Sequence, residues 1–257
     1  MAEIISIHSY RGGTGKSNIV SNFAAILTIL GKRVAVVDTD IQSPGIHVLF
    51  NFDVREATHC LNDYLSGISR IEDVVYDVTY ALKTERPDVG PLFLIPCSVR
   101  ASDIARILKN GYDVNQLNDG YVKAIQSFDL DYLIIDTHPG LNEETLISIS
   151  VSDMLVLVLR PDKQDYQGTA VTLEIARQLG VPNLQIIINK ASEILDFKGL
   201  EEQIFDAYQT PVIGTIPHSD ELMLLESGGV FVAEFPDHEI TKILEKMVLK
   251  IIGFTHE

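Results

Sequence analysis

The fold of this chain is decided by the stretch IISIHSYRGGTGKS, residues 4–17. It opens on a short apolar run, passes through three glycines and ends on a lysine and a serine. Glycines accept the left-handed dihedrals that let successive backbone N–H groups point into one concave loop. Helical spacing follows Ser17, so this loop meets a helix N-terminus, whose dipole favours anions. The stretch therefore predicts a strand, a phosphate-binding loop and a helix, in that order.

Residue types within the loop predict which groups contact phosphate and metal. Lys16 has the reach to contact the β- and γ-phosphates of a nucleotide, and the Ser17 hydroxyl is suited to hold Mg²⁺. Tyr10 stands where the general pattern for such loops has its first glycine, so the match is to a variant. The residues predicted to bind nucleotide here are Gly12, Gly13, Thr14, Gly15, Lys16, Ser17 and Asn18.

Further apolar runs rich in Ile, Val and Leu predict strands that are buried on both faces. They occupy residues 4–7, 34–37, 92–95, 132–135, 154–159 and 184–188. Helical spacing lies between them, and Gly31 and Gly180 are stop signals for two of the helices. The alternation predicts an α/β fold, with a doubly wound, mostly parallel sheet flanked by helices, and residues 1–257 as a single domain. Residues 51–90 are less regular and predict short helices and a loop.

Two of the predicted strands end in carboxylates. Asp38 and Asp40 follow the run at 34–37, and Asp136 follows the run at 132–135. The carboxyl ends of parallel strands line the crevice in which ligands of α/β sheets bind. An apolar strand that ends in aspartate is the arrangement that orients a carboxylate towards Mg²⁺ through water. Asp136 is therefore a predicted metal ligand.

These motifs together resemble the MinD/ParA family of P-loop ATPases. The loop Gly-Gly-x-Gly-Lys-Ser is similar to the family's deviant Walker A loop, and the segments around Asp40 and Asp136 are similar to its two switch segments. The resemblance implies binding of ATP and Mg²⁺, slow and partner-stimulated hydrolysis, and an ATP-dependent homodimer. It implies that Asp40 positions the attacking water, and that Asp38 acts near Mg²⁺ or orders its loop. It further implies that Asn189 hydrogen-bonds adenine and that Pro217 packs against the base.

Arg11 departs from the family pattern. A lysine usually stands at this position and reaches across the dimer to the partner's phosphates. Arginine keeps the charge and adds a planar fork of donors, so Arg11 is expected to serve as this catalytic cation. The alternative is that Arg11 pairs with a local carboxylate and that Lys163 or Arg160 takes its place.

The charge of the chain bears on its partners. It carries 20 basic and 36 acidic residues for a net charge of −16, and residues 191–257 alone hold −9. Affinity for nucleic acids and for anionic membranes depends on Lys and Arg, so DNA and membrane binding are both disfavoured. The apolar stripe at 240–252 is interpreted as a last helix packed on the sheet. The expected partner, besides a second copy, is an unidentified protein.

The chain is expected to be soluble and cytoplasmic. No apolar run reaches the length of about 18 residues that a membrane span needs, and the first residues lack a signal core. Cys60 and Cys97 lie far apart without metal-ligand spacing, and two reduced thiols are expected although one disulfide is an alternative.

Four functions compete on these observations. The first is an ATPase switch that controls a partner protein or the positioning of a cellular assembly, and the second is an ATP-dependent metabolic ligase or amidotransferase on the same fold. The third, an ATPase that handles an iron–sulfur cluster, is disfavoured because the loop after Asp136 holds no cysteine. The fourth, a scaffold with a relic site, is disfavoured because Lys16, Ser17, Asp40 and Asp136 are intact.

Overall fold

The structure, a computed structural model, describes residues 2–225 and 228–254. Within these ranges the strands are β1 (Glu3–His8), β2 (Val34–Asp38), β3 (Tyr76–Asp77), β4 (Leu92–Ile95), β5 (Tyr132–Asp136), β6 (Met154–Leu159), β7 (Asn183–Ala191) and β8 (Val212–Pro217). The α-helices are α1 (Lys16–Ile29), α2 (Ile46–Leu49), α3 (Leu61–Leu65), α4 (Ala101–Asn110), α5 (Val114–Phe128), α6 (Glu143–Ser150), α7 (Lys163–Gln178), α8 (Phe197–Tyr208), α9 (Asp220–Leu225), α10 (Phe231–Glu234) and α11 (Glu239–Phe254). Two 3₁₀ turns, Ile71–Val74 and Thr79–Leu82, precede and follow β3.

The strands form one sheet in the order β3-β4-β2-β5-β1-β6-β7-β8. The pairs from β4 to β8 are parallel, and only the edge strand β3 pairs antiparallel to its neighbour. Strands β2, β5 and β6 are buried at every position, which is why their sequences are continuous apolar runs. The predicted fold class is confirmed. The topology brings the ends of β1, β2, β5 and β7 to one edge of the sheet.

Two strands were not predicted from the sequence. β3 is two residues long and has no apolar run, and it exists because Tyr76 and Asp77 pair with β4. β8 contains Gly214 and Thr215, which break the apolar pattern, and its pairing with β7 is irregular in register. Both strands lie at the edges of the sheet, where less of the strand is covered and the sequence pattern is weaker.

The last helix, α11, packs on the sheet as predicted. Its apolar stripe is buried in the main core, through Ile240, Leu244, Met247, Val248 and Ile251. The side chain of Met247 lies over Gly214 of β8, where an added Cβ would approach its Cε within 2.5 Å. Across residues 2–225 and 228–254, none of the helices has the length and apolarity to cross a bilayer.

Candidate functional site

The glycine loop places an uncapped helix N-terminus at the edge of the sheet. Gly13 and Gly15 have left-handed φ angles of 77° and 90°. Helix α1 begins at Lys16, and no side chain caps it and no acidic residue lies in its first turn. Its first N–H groups are therefore left for an anion. The Ser17 side chain lies in this turn, partly exposed, and makes no hydrogen bond within the described ranges.

Lys16 and Asp136 form a buried ion pair between the loop and β5. Their side chains are 9% and 2% exposed, and the Lys16 Nζ donates to Asp136 Oδ1. Asp136 also ties the two switch segments together, because its carbonyl accepts from the Thr39 backbone N at 3.0 Å and from Thr39 Oγ1 at 2.9 Å. The ion pair holds the Lys16 ammonium group beside the glycine loop, and the sequence predicts that this group contacts phosphate.

Asp38 lies beside Asp136, and the two are register partners on the paired strands β2 and β5. Burial, and then the charge of Asp136, raise the pKa of Asp38 to about 8. Its carboxylate accepts from the backbone N of Asp40 at 3.0 Å and of Gly45 at 3.2 Å. These two contacts attach Asp38 to the loop after β2.

Asp40 stands next to His138 of the second switch segment. Asp40 Oδ1 accepts from the Ser43 backbone N at 2.9 Å and lies 3.7 Å from His138 Nε2. On the other side of this segment, the Gly140 backbone N donates to the Ser9 carbonyl at 3.2 Å. Backbone hydrogen bonds thus hold the second switch segment against the start of the glycine loop, and the Thr39–Asp136 contact holds the first switch segment against the second.

A cavity of about 400 Å³ opens beside the glycine loop. Its lining includes Gly15, Asn18, Asn189, Lys190 and Pro217. The structure thus brings together the two residues predicted to contact the base, although they lie on different strands. The buried Asn18 Oδ1 has no hydrogen-bond partner within the described residues. The cavity lies directly beside the glycine loop, where the sequence predicts the base of the nucleotide.

Two side chains from the end of β7 hold the glycine loop. Asn189 Nδ2 donates to the Thr14 carbonyl at 2.7 Å, and Lys190 Nζ donates to the Gly13 carbonyl at 2.9 Å. A Cβ at Gly15 would collide with the Asn189 amide nitrogen, so only glycine fits there. Lys190 was missed from the sequence, since nothing local marks a lysine after a strand as a contact of a distant loop.

Arg11 pairs with carboxylates of its own chain. Its Nη1 lies 3.4 Å from Asp162 Oδ1 and 3.4 Å from Asp165 Oδ1, and its side chain is 38% exposed. Arg160 contacts the same two aspartates, while Lys163 is exposed at the start of α7. The local pairing anticipated as an alternative is therefore present in this structure of a separate chain.

His8 is a second residue that the sequence did not reveal. It is fully buried, its Nδ1 lies 2.8 Å from Thr137 Oγ1, and its Nε2 has no partner within the described residues. Because the Thr137 hydroxyl donates to the Ile7 carbonyl, it accepts from His8, so the neutral ring carries its proton on Nδ1. Burial, with Lys16 and His138 nearby, lowers the pKa of His8 to about 3. The polar end of an otherwise apolar strand was its only signal.

The two cysteines are free, as expected, and both are buried. Burial raises the pKa of Cys60 to about 12 and raises that of Cys97 as well. The Cys97 thiol donates to the Asp38 carbonyl at 3.1 Å. Over the two described ranges, no three His, Cys, Asp or Glu side chains are grouped in a way that would hold a metal ion without further ligands.

Comparison with known proteins places this site in a family. Residues 2–187 match the family model AAA_31, described as an AAA domain. An uncharacterized ATP-binding protein of Methanocaldococcus jannaschii is 29% identical over 260 residues, covering 100% of this chain and 90% of its own. An iron–sulfur cluster carrier protein of the same organism is 28% identical over 264 residues, covering 97% and 85%.

Solved structures agree with the fold. The septum site-determining protein MinD of Pyrococcus horikoshii, complexed with Mg-ADP, superposes with a TM-score of 0.81 at 21% identity, covering 99% of this chain and 98% of its own. MinD from the MinC:MinD complex of Aquifex aeolicus gives 0.80 at 21% identity, with 98% and 96% covered. The resemblance inferred from the three motifs is confirmed at the level of the fold.

Proposed function

Since the chain belongs to the AAA domain family AAA_31 and has the MinD fold, we propose that it is a nucleotide-dependent switch. In this proposal it binds ATP with Mg²⁺, forms a homodimer around the nucleotide and hydrolyses ATP slowly. The state of the dimer controls a partner protein or the positioning of a cellular assembly. The observation that carries the proposal is the buried Lys16–Asp136 pair beneath an uncapped helix N-terminus.

Phosphate binding follows from the charges of this arrangement. The left-handed Gly13 and Gly15 and the free N–H groups of α1 form a concave site for anionic oxygens. Lys16 is buried on Asp136, and we infer that its ammonium contacts the β- and γ-phosphates when ATP binds. The asparagine and the proline of the neighbouring cavity then contact the adenine ring, with Asn189 also holding the loop.

The donor set fits Mg²⁺. Mg²⁺ is bound by one or two carboxylates together with substrate phosphates and water. Ser17 offers a free hydroxyl beside the phosphate site, and Asp136 and Asp38 are register partners, so that a cation between them would take the place of the proton that the raised pKa of Asp38 retains. When bound, the ion would neutralise charge that develops on the phosphates. We propose Ser17, Asp136 and Asp38 as the residues that hold it, directly or through water.

Hydrolysis in this proposal depends on positioning and charge rather than on a covalent step. Asp40 orients the attacking water, with its carboxylate held by the Ser43 backbone N. Arg11 contributes a positive charge to the nucleotide of the second protomer, in the manner of an arginine finger. The complex of the similar Aquifex MinD with MinC supports a protein as the third component.

The iron–sulfur function of one relative is not proposed for this chain. Cluster ligands are thiolates that have to be accessible to iron, and a raised pKa keeps a thiol protonated. Cys60 and Cys97 are both buried with raised pKa values, and Cys97 is engaged with the Asp38 carbonyl. The ligase alternative predicts ATP turnover that depends on a small metabolite without any protein partner.

The test is nucleotide-dependent dimerisation of the purified chain. We expect ATP with Mg²⁺ to shift its mass from about 28.5 kDa to twice that value in analytical ultracentrifugation, and EDTA to reverse the shift. Ser17→Ala and Lys16→Ala should lose it, whereas Lys123→Ala, an exposed lysine on α5, should not. A chain that does not bind ATP, or that binds it equally well as Lys16→Ala, would overturn the proposal.

A further inference from the structure

Four charged side chains meet where the glycine loop touches α7. Arg11 comes from the loop after β1, Arg160 follows β6, and Asp162 and Asp165 belong to the start of α7. Asp162 caps the helix, since its Oδ1 accepts from the backbone N of Gln164 and of Asp165, each at 3.0 Å. The two aspartates of α7 are therefore held in place, and both arginines contact them.

Asp165 holds the two arginines unequally. Its side chain is 2% exposed, and its Oδ2 accepts from the Arg160 backbone N at 2.9 Å and from Arg160 Nε at 3.1 Å. Its Oδ1 lies 3.4 Å from Arg11 Nη1, close to the limit of a hydrogen bond. Arg160 is thus the firm partner of this buried carboxylate, and Arg11 is the loose one.

The difference between these two contacts determines how much free energy it costs to release Arg11 from Asp165. A buried carboxylate that loses its only cation is left uncompensated at a large cost in free energy, which would fix the pair permanently. Because Arg160 stays, Asp165 remains compensated, and the departing Arg11 loses only a partly exposed contact of the kind that holds weakly. Tyr10 packs over Gly168 of α7, where a Cβ would collide with its ring, and so fixes the point from which Arg11 emerges.

We propose that Asp165 is a positioning residue that stores Arg11 in the separate protomer and releases it on dimerisation. Arg160 lowers the cost of this release, because it continues to compensate the charge of Asp165. This inference rests on the proposed function, because Arg11 is released towards the nucleotide of a second copy of this chain. The stored state lowers the population of protomers ready to dimerise, and so weakens the apparent affinity by that fraction.

The experiment measures the dimerisation constant with a non-hydrolysable ATP analogue and Mg²⁺ by analytical ultracentrifugation. Asp165→Asn keeps an oxygen for Arg160 but removes one of the two carboxylates that hold Arg11, the other being Asp162, and dimerisation should tighten about two- to fivefold. Glu174→Gln, an exposed change of equal charge on α7, should leave it unchanged. In an Arg11→Lys background, where a single ammonium replaces the guanidinium that contacts both Asp162 and Asp165, the Asp165→Asn effect should be lost or much reduced.

Arg160 supplies a test of opposite sign. In Arg160→Gln, Asp165 depends on Arg11 alone, so dimerisation should weaken more than fivefold. Adding Asp165→Asn should restore the wild-type constant or better, because Arg160 acts through Asp165. A double variant that stays weak would show that Arg160 itself contacts the nucleotide, and would overturn the inference.

Two further results separate this inference from the proposed function. An Asp165→Asn protein that dimerises no better than wild type, or that keeps its effect with Lys at position 11, overturns the inference alone. A wild-type chain that stays monomeric with the analogue overturns the proposed function. ATP affinity of the dilute protomer should be within about twofold of wild type in all these variants, since none of the changed side chains contacts the phosphate loop of its own chain.

Discussion

Among single residues, His8 gives the unliganded protein a specific sensitivity to acid. Its pKa is about 3 in the folded chain, against about 6.5 when unfolded. Well above pH 6.5, His8 is neutral in both the folded and the unfolded chain, so its protonation does not change the free energy of unfolding. As pH falls below 6.5 the unfolded chain takes up a proton that the folded chain refuses, so stability declines. Between pH 7.5 and pH 5 we expect this one residue to lower the free energy of unfolding by about 2 kcal/mol.

His8→Asn isolates this contribution. Asparagine keeps a polar atom for Thr137 but does not titrate, so the variant should lose about 2 kcal/mol less than wild type over the same pH interval. The measurement is urea unfolding without nucleotide at the two pH values. His47, the other buried histidine with a lowered pKa, is present in both proteins and cancels. Parallel pH curves for the two proteins would show that His8 has the same pKa in the folded chain as in the unfolded chain.

Asn189 provides the second prediction at this scale, because it contacts the glycine loop rather than empty space. Its amide donates to the Thr14 carbonyl, so Asn189→Ala should disturb phosphate binding as well as base recognition. We expect about a tenfold loss of affinity, worth about 1.4 kcal/mol, for ATP and also for inorganic triphosphate, which has no base. Affinities are measured by calorimetry.

Pro217→Ala is the matched control for Asn189. Pro217 lines the same cavity but makes no contact with the Thr14 carbonyl, so its loss should affect ATP and spare triphosphate. If Asn189→Ala also spares triphosphate, the hydrogen bond to the loop has no role in shaping the phosphate site, and the residue acts on the base alone.

At the scale of the elements, the sequence predicts those features that have a local pattern of residues. The buried strands, the glycine loop and the helix after it follow from apolar runs and from Gly-Lys-Ser, and these alone place Lys16 at a sheet edge. The sequence does not predict strand β3, because its two residues are a strand only through their pairing with β4. The contacts of Asp165 with Arg11 and of Lys190 with Gly13 were not predicted for a similar reason, since these pairs are separated by 154 and 177 residues in the sequence. Local spacing carries no signal for such contacts.

Helix α11 offers a test of how the last element is attached. Met247 is 1% exposed and covers Gly214, so Met247→Ala leaves a cavity and should destabilise the protein by about 2–4 kcal/mol in urea unfolding. Leu249→Ala, on the same helix but 57% exposed, should change stability by less than about 0.5 kcal/mol. Equal and small effects of the two substitutions would contradict a helix docked on β8.

At the scale of the whole molecule, the net charge of −16 opposes the proposed dimer. Two copies repel each other over distances comparable to the Debye length, about 10 Å at 0.1 M salt. Raising KCl from 50 to 300 mM should therefore tighten ATP-dependent dimerisation several-fold. Binding to DNA or to anionic vesicles would respond in the opposite direction, because it depends on the release of counterions by Lys and Arg.

The sign of this salt effect separates the candidate partners. A dimer that tightens with salt, together with no retention of DNA or of phosphatidylserine vesicles at 50 mM KCl, fits a switch that is read by a protein. Salt also weakens the contact between Arg11 and phosphate, so Arg11→Ala, tested at concentrations high enough to dimerise, should show a steeper tightening than wild type. ATP affinity of the dilute protomer, measured at each salt concentration, removes the effect of salt on nucleotide binding itself. A dimer that weakens with salt would mean that contacts between opposite charges outweigh the repulsion between the two acidic chains.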